Sequence, residues 1–357
     1  MEEQQQIEDM DAITCISIVH ATKIEGESII HRSVKHPEIR QQTAVDALPL
    51  LTNIDTICKQ KTFPVNFEFV FDGIQLELCS IFKLAGKRWE TYLRGRLKEH
   101  IRIAVSYAKL NKNTIAATSN TYVILPSYNK INDFIKNLSI SKLPCAQYVP
   151  SHCNIDPAIP NVSTKSALPL ALFRSVTGVS LDKIENVHYD ATILINDKVD
   201  FVHCNYDFEA IVTHELGHVL GFVSCVDSID YNISATKSKQ VYITPFDVYR
   251  FSQGNTPVTL DDFSHTPRCF SPTKEPHCFS NIDAIYHLST GSVHGNGHQA
   301  CHWVQGIGIM DPHIQKTHRK IIRAADLHAM QSIGYGLTVH GLHMLKVDQS
   351  DRDSDRS

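Results

Sequence analysis

The chain has 357 residues, 42% of them hydrophobic and 20% charged, which suits one large domain or two ordinary ones and is too apolar for a chain without a core. Lys and Arg number 34 against 38 Asp and Glu, a net charge of −4 with no polybasic stripe, so nucleic acid is not the expected partner. The longest apolar stretches, Ile13 to Val19 and Ala167 to Phe173, fall short of the roughly 18 residues that a membrane-spanning helix needs.

Residues 1–62 carry no strong periodicity and stay unassigned, a propeptide being one reading. From there the chain predicts alternating element types. Val65, Phe67, Phe69 and Phe71 alternate as in a half-buried strand, and Ile81, Ala85, Trp89 and Tyr92 recur at helical spacing between Ser80 and Leu93. Ile101, Ile103, Val105 and Tyr107 alternate again, Tyr122 to Leu125 reads as a short strand, and Asn132 to Asn137 as a helix. A Pro- and Cys-containing loop leads to a helix near Leu168 to Val176 and a strand at Ala191 to Asn196. Residues 224–297 are rich in Ser, Thr, Asn, Pro and Gly and are expected to form an insertion beside a site. Ala324 to Ile333 predicts a closing helix, and residues 346–357 a disordered tail.

The chemistry concentrates in NYDFEAIVTHELGHVLGF, a largely apolar helical segment with Asn205 or Asp207 as its N-cap. Four residues apart on one helical face, His214 and His218 can both reach one metal ion. Glu215, next to a ligand, is placed to act as a general base without binding the metal itself. Gly221 allows the sharp turn that ends such a helix.

Two imidazoles do not complete a catalytic zinc site, which takes three protein ligands and leaves a position open. Glu275 lies in a loop-like stretch, and Ser224 stands where a compact His-Glu-x-x-His-x-x-Gly-x-x-His motif would place its third His. Asp227, Asp230, His265, His277, His287, His294, His298 and His302 remain open on this reading. His313, His318, His340 and His343 read as solvated surface.

THELGHVLGF followed, after a long intervening stretch, by CHW and IMDP resembles the leishmanolysin-type metzincin metallopeptidases. The likeness spans about Pro64 to Gly336. It implies His302 as third zinc ligand and Met310 as the methionine of a tight turn packed beneath the ligands, while His298, four residues earlier beside flexible glycines, competes with His302 on the residues alone. It further implies an α+β catalytic domain over 63–345, with a twisted mixed sheet, an active-site helix and an irregular C-terminal subdomain. The implied activity is zinc-dependent cleavage of a protein or peptide substrate with Glu215 as base, the substrate lying along Ala191 to Asn196. A non-catalytic zinc-binding interaction module and a zinc hydrolase of a non-peptide substrate are the competing readings.

The ten cysteines include no C-x-x-C pair, which argues against a Cys-ligated zinc. Cys58 is read as a free thiol in preference to a thiolate cap on the zinc. A Cys269–Cys278 disulfide would suit an exported protein, and Asn137, Asn161 and Asn232 begin glycosylation-type triplets. The family is typically secreted or surface-bound, whereas the acidic, Gln-rich start has no signal-like pattern, so location is left open.

Overall fold

Large apolar side chains alternating with polar ones lay down the first strands of the central sheet. The computed structural model describes residues 20–23, 45–46, 54–111, 114–125, 127–150, 165–199, 206–232, 242–313 and 319–354. It begins with β1 (His20–Lys23), β2 (Val45–Asp46) and the short helix α1 (Ile54–Cys58). β3 (Phe63–Pro64) and β4 (Phe67–Asp72) follow. On β4 the rings of Phe67, Phe69 and Phe71 stack in succession, and Phe82 meets the last two edge-on. Phe82 belongs to α2 (Leu76–Tyr92), whose buried face also carries Leu78, Ala85 and Trp89 at helical spacing.

β5 (Leu93–Gly95), β6 (Ile101–Ala108), β7 (Thr114–Asn120) and β8 (Tyr122–Leu125) come next. β7 is absent from the sequence-based expectations because its residues, TIAATSN, are small and almost all buried, so no polar face marks the alternation. α3 (Tyr128–Asp133) runs into a π-helical turn at Phe134–Leu138, then α4 (Pro144–Gln147), β9 (Ser166–Pro169) and α5 (Leu170–Thr177). The helix expected from Leu168 therefore starts at Leu170, because Leu168 and Pro169 pair with β8.

β10 (Ala191–Asn196) and α6 (Phe208–Val219) lead to the remaining elements. These are α7 (Val226–Asn232), β11 (Arg250–Ser252), α8 (Leu260–His265), β12 (His277–Ser280) and β13 (Ile285–Leu288), then α9 (Ala324–Ile333), β14 (Gly336–Leu337) and α10 (Val339–Ser354). α10 carries helix into the tail expected to be disordered; the sequence there sets Asp348 four residues before Arg352, a spacing that supports a helix.

The five-stranded central sheet has the order β1-β7-β10-β6-β4. β4, β6 and β10 are parallel, β7 runs antiparallel to β10, and β1 antiparallel to β7. Three smaller sheets, β11-β12-β13, β14-β5-β3 and β2-β8-β9, complete a mixed α+β fold. β10 is hydrogen-bonded on both sides, so the expectation that Ala191 to Asn196 offers an edge to a substrate is corrected. The antiparallel neighbour β7 lies one strand nearer that side of the sheet.

Residues 224–297 are less of an appendage than their composition suggests. Phe246, Tyr249, Phe251, Phe263, Phe270 and Phe279 join the same apolar cluster as Trp89, Ile193 and Leu216. Six aromatic side chains bury enough surface to fix the segment despite its polar composition. Among the described residues, no helix is long and apolar enough to cross a membrane.

Candidate metal centre

α6 starts where the Asp207 side chain accepts the Ala210 N–H at 3.0 Å. Every residue of this helix except Glu209 is buried, as its all-round apolar sequence requires. Glu209, at the solvent end, accepts from Arg88 of α2 and from Arg319. The Trp89 indole donates to the Thr213 carbonyl at 2.8 Å and joins α2 to α6. After the helix, Gly221 turns the chain at φ +116°, a conformation open to glycine, and so brings the Phe222 carbonyl back toward His218.

The structure brings His214, His218 and His302 together, each at most 1% exposed. The His214 Nε2 lies 3.1 Å from the Nε2 of His218 and 3.1 Å from the Nε2 of His302. Each ring's other nitrogen faces a backbone carbonyl: Ile309 at 2.8 Å, Phe222 at 2.7 Å and Gln299 at 3.2 Å, respectively. A carbonyl oxygen only accepts, so each Nδ1 carries the proton and each Nε2 turns a lone pair inward. Burial pushes the pKa of His214 down to about 4, which keeps that ring neutral and ready to ligate. Neutral imidazoles with converging lone pairs repel one another, and a cation between them relieves the repulsion. The donor set therefore fits a divalent metal ion of the zinc type, and the two 3.1 Å separations fall a few tenths of an ångström inside the roughly 3.3–3.4 Å that tetrahedral Zn–N bonds of about 2.0–2.1 Å set.

His302 comes from a segment far along the chain, and buried carboxylates aim it. Asp227 of α7 accepts the backbone N–H groups of Ala300 and Cys301 at 2.5 and 3.1 Å. Arg250 donates to the carbonyls of Ser289 and Ala300. Asp326, in the first turn of α9, accepts from the Trp303 indole at 2.8 Å and from the N–H groups of Ile309, Met310 and Arg323. Burial pushes the carboxyls of Asp227 and Asp326 up to about 6. Asp311 accepts from three successive N–H groups, Gly306 to Gly308, and closes the turn around Met310.

Met310 packs against α6 at Gly217, between His214 and His218. A Cβ placed on Gly217 would lie 2.2 Å from its sulfur. Met310 is thus a packing residue of the turn, outside the ligand group. The other third-ligand candidates are engaged elsewhere. The ring of His298 meets that of His313 at 4.7 Å, Asp230 holds the N–H groups of Val293 and His294, and His277 lies against Arg250 and Cys269. Ser224 binds Asp247, which also holds Cys225 and Thr244 and so fixes the chain leaving α6.

Glu215 is fully buried, and its Oε2 accepts from the Thr118 hydroxyl of β7 at 2.7 Å. Asn120, also on β7, donates to the His218 carbonyl at 3.0 Å. Sequence reasoning missed Thr118, Asp227 as a support, and Asp326; only the DLHAMQSIGY helix start gave a usable sign, since an acidic residue in a first turn is a cap candidate. Cys58 donates to the Asn137 carbonyl at 3.0 Å and is a free thiol, as expected. The Cys269–Cys278 disulfide is corrected: no disulfide joins the two, Cys269 lying beside the His277 ring and Cys278 beside the Thr256 hydroxyl. The two point to different partners because Cys278 lies within a strand and pairs in register with His287.

Fold and site define a mixed α+β protein with a buried three-histidine group able to hold a metal ion. Comparison of the chain with protein families, curated proteins and solved structures finds no match.

Proposed function

We propose that this chain is a zinc-dependent endopeptidase with Glu215 as the general base. The observation that carries the reading is three inward-facing Nε2 lone pairs, on His214, His218 and His302, with the buried carboxylate of Glu215 on the same helix as the first two and outside the ligand group. A zinc ion held there supplies Lewis acidity, which makes a water proton far more acidic and steadies negative charge on a carbonyl oxygen.

The chain's own groups do the rest. The Thr118 hydroxyl fixes one oxygen of Glu215. The carboxylate takes the proton of the attacking water and returns it to the leaving amine, serving as base and then as acid. The backbone carbonyls behind the three imidazoles keep their tautomers fixed throughout.

Zinc content and cleavage of unfolded casein test the proposal together. Glu215→Gln is expected to keep about one zinc per chain while turnover falls at least about a hundredfold, and His302→Ala to lose the zinc. Unchanged turnover in Glu215→Gln removes the base from the mechanism. Full zinc without cleavage by the parent chain turns the reading toward a non-catalytic metal-binding module.

A further inference from the structure

We propose that His298 and His313 form a second divalent-cation site, outside the three-histidine group, whose ion ties the loop carrying His302 to the turn of Met310. The site is argued from ring geometry and chain position and does not depend on the peptide-bond chemistry proposed above.

The ring pair is the first observation. The His298 and His313 rings stand with their centroids 4.7 Å apart and their planes at 85°. Within the three-histidine group, His214 and His218 stand at 4.8 Å and 82°, and His218 and His302 at 5.1 Å and 90°. The first of those pairs converges its Nε2 atoms to 3.1 Å. His298 and His313 thus repeat, on another part of the chain, the mutual geometry of two imidazoles able to share one ion. His313, expected on the solvated surface, is half-buried, as is His298, so an ion can still reach both rings. Among the described residues, only His214, His218 and His302 bring three ligand groups together, so the second ion would take two imidazoles and complete its coordination with water. Imidazole donors select an ion of the zinc, copper or nickel type over calcium or magnesium.

Chain position is the second observation. His298 lies four residues before His302, and its carbonyl accepts the Gly291 N–H at 3.0 Å. Its neighbour Gln299 supplies the carbonyl behind the His302 ring. His313 lies three residues after Met310 and two after Asp311, whose carboxylate accepts from the N–H groups of Gly306 to Gly308 and from the Lys320 ammonium. The backbone near each ring is therefore held before any ion arrives, which lowers the ordering cost of binding. An ion on both rings joins the segment that aims the third ligand to the segment that packs beneath the first two. By linkage, each of the two ions then strengthens the binding of the other.

The test titrates the full chain with Zn²⁺. Dialysis against metal-free buffer leaves the tight ion, assigned to the three-histidine group by its loss in His302→Ala. Calorimetry of the one-zinc chain is expected to show one further equivalent, bound at least about a hundredfold more weakly, as two imidazoles in place of three imply. His298→Gln and His313→Gln are each expected to keep the tight ion and lose the further one. Diethyl pyrocarbonate labelling of the parent, mapped by mass spectrometry, needs no substitution: modification of His298 and His313 is expected to fall at least about fivefold when the second equivalent is added. Amide hydrogen exchange across residues 299–312 is expected to slow at least about fivefold at the same step. A parent that takes up no ion beyond the tight one, a further ion that persists in both folded variants, or labelling unaltered by zinc makes the pair an edge-on packing contact and overturns the proposal. Unchanged exchange with two ions bound overturns the tie between loop and turn. Two bound ions without casein cleavage leave this site in place and sink the endopeptidase reading instead.

Discussion

Gly217→Ala isolates the contact between the metal helix and the methionine turn. The added methyl would sit 2.2 Å from the Met310 sulfur, 3.0 Å from its terminal carbon and 3.3 Å from the Trp89 ring. Ordinary carbon contacts lie at about 3.5–4.0 Å, so the sulfur or the helix must retreat by more than about 1 Å. Met310 and Trp89 are both fully buried, which leaves little room for the retreat. Overpacking of this kind costs about 1–3 kcal/mol, while alanine is better than glycine in a helix by about 1 kcal/mol. The net loss of stability is therefore small, about 0–2 kcal/mol, and stability alone is a poor readout. Zinc affinity is the sharper one, because the retreat shifts His214 and His218 relative to His302; a penalty of about 1.4 kcal/mol weakens binding tenfold. Competition with a chromophoric chelator measures it. Met310→Ala should relieve the penalty, so the double variant should bind zinc more tightly than the two single effects add up to. Additive effects within about 0.5 kcal/mol, or unweakened binding in Gly217→Ala, would refute the packing argument.

Asp227→Asn sets an amide N–H₂ where the carboxylate now receives two backbone N–H groups, so one donor loses its acceptor. A loss of about 1–3 kcal/mol in urea unfolding and at least tenfold weaker zinc binding are expected; an unchanged zinc affinity would show that the loop aims His302 unaided. The pH dependence should carry the signature of His277, whose pKa is pushed down to about 3 by burial, with the Arg250 charge adding to it. Because the unfolded chain takes up that proton near pH 6.5 and the folded chain does not, stability contributed by the neutral ring is lost as pH falls below 6.5. Between pH 6.5 and 4.5 the parent should lose about 2 kcal/mol relative to His277→Gln, measured by urea unfolding at both values. Parallel curves for the two proteins would contradict it.

What could be read from the chain divides by the range of the interactions involved. α6 and α9 were legible because their apolar spacing, acidic first turns and terminal glycines are local; α9 begins at Ala324 and ends at Ile333, as the periodicity predicts. β4, β6, β8 and β10 were legible for the same reason. β7 was not, since TIAATSN carries no contrast between its faces, and yet it holds Thr118. His302 could be singled out only by the resemblance of CHW and IMDP, because what distinguishes it from His298 is the grip of Asp227 and Arg250 on its flanking backbone. Those contacts join residues far apart in sequence, and polar composition concealed the aromatic core that brings them together.

His214 and His302 are separated by 88 positions, and an ion gripping both would act as a staple across that span. Closing a loop of such length in an unfolded chain is worth about 4–5 kcal/mol of entropy, so chelation should loosen the chain between the two histidines. A ribosome-bound chain released as far as α6 would hold only two of the three rings. The three-histidine group would thus be completed only after His302 has been synthesised.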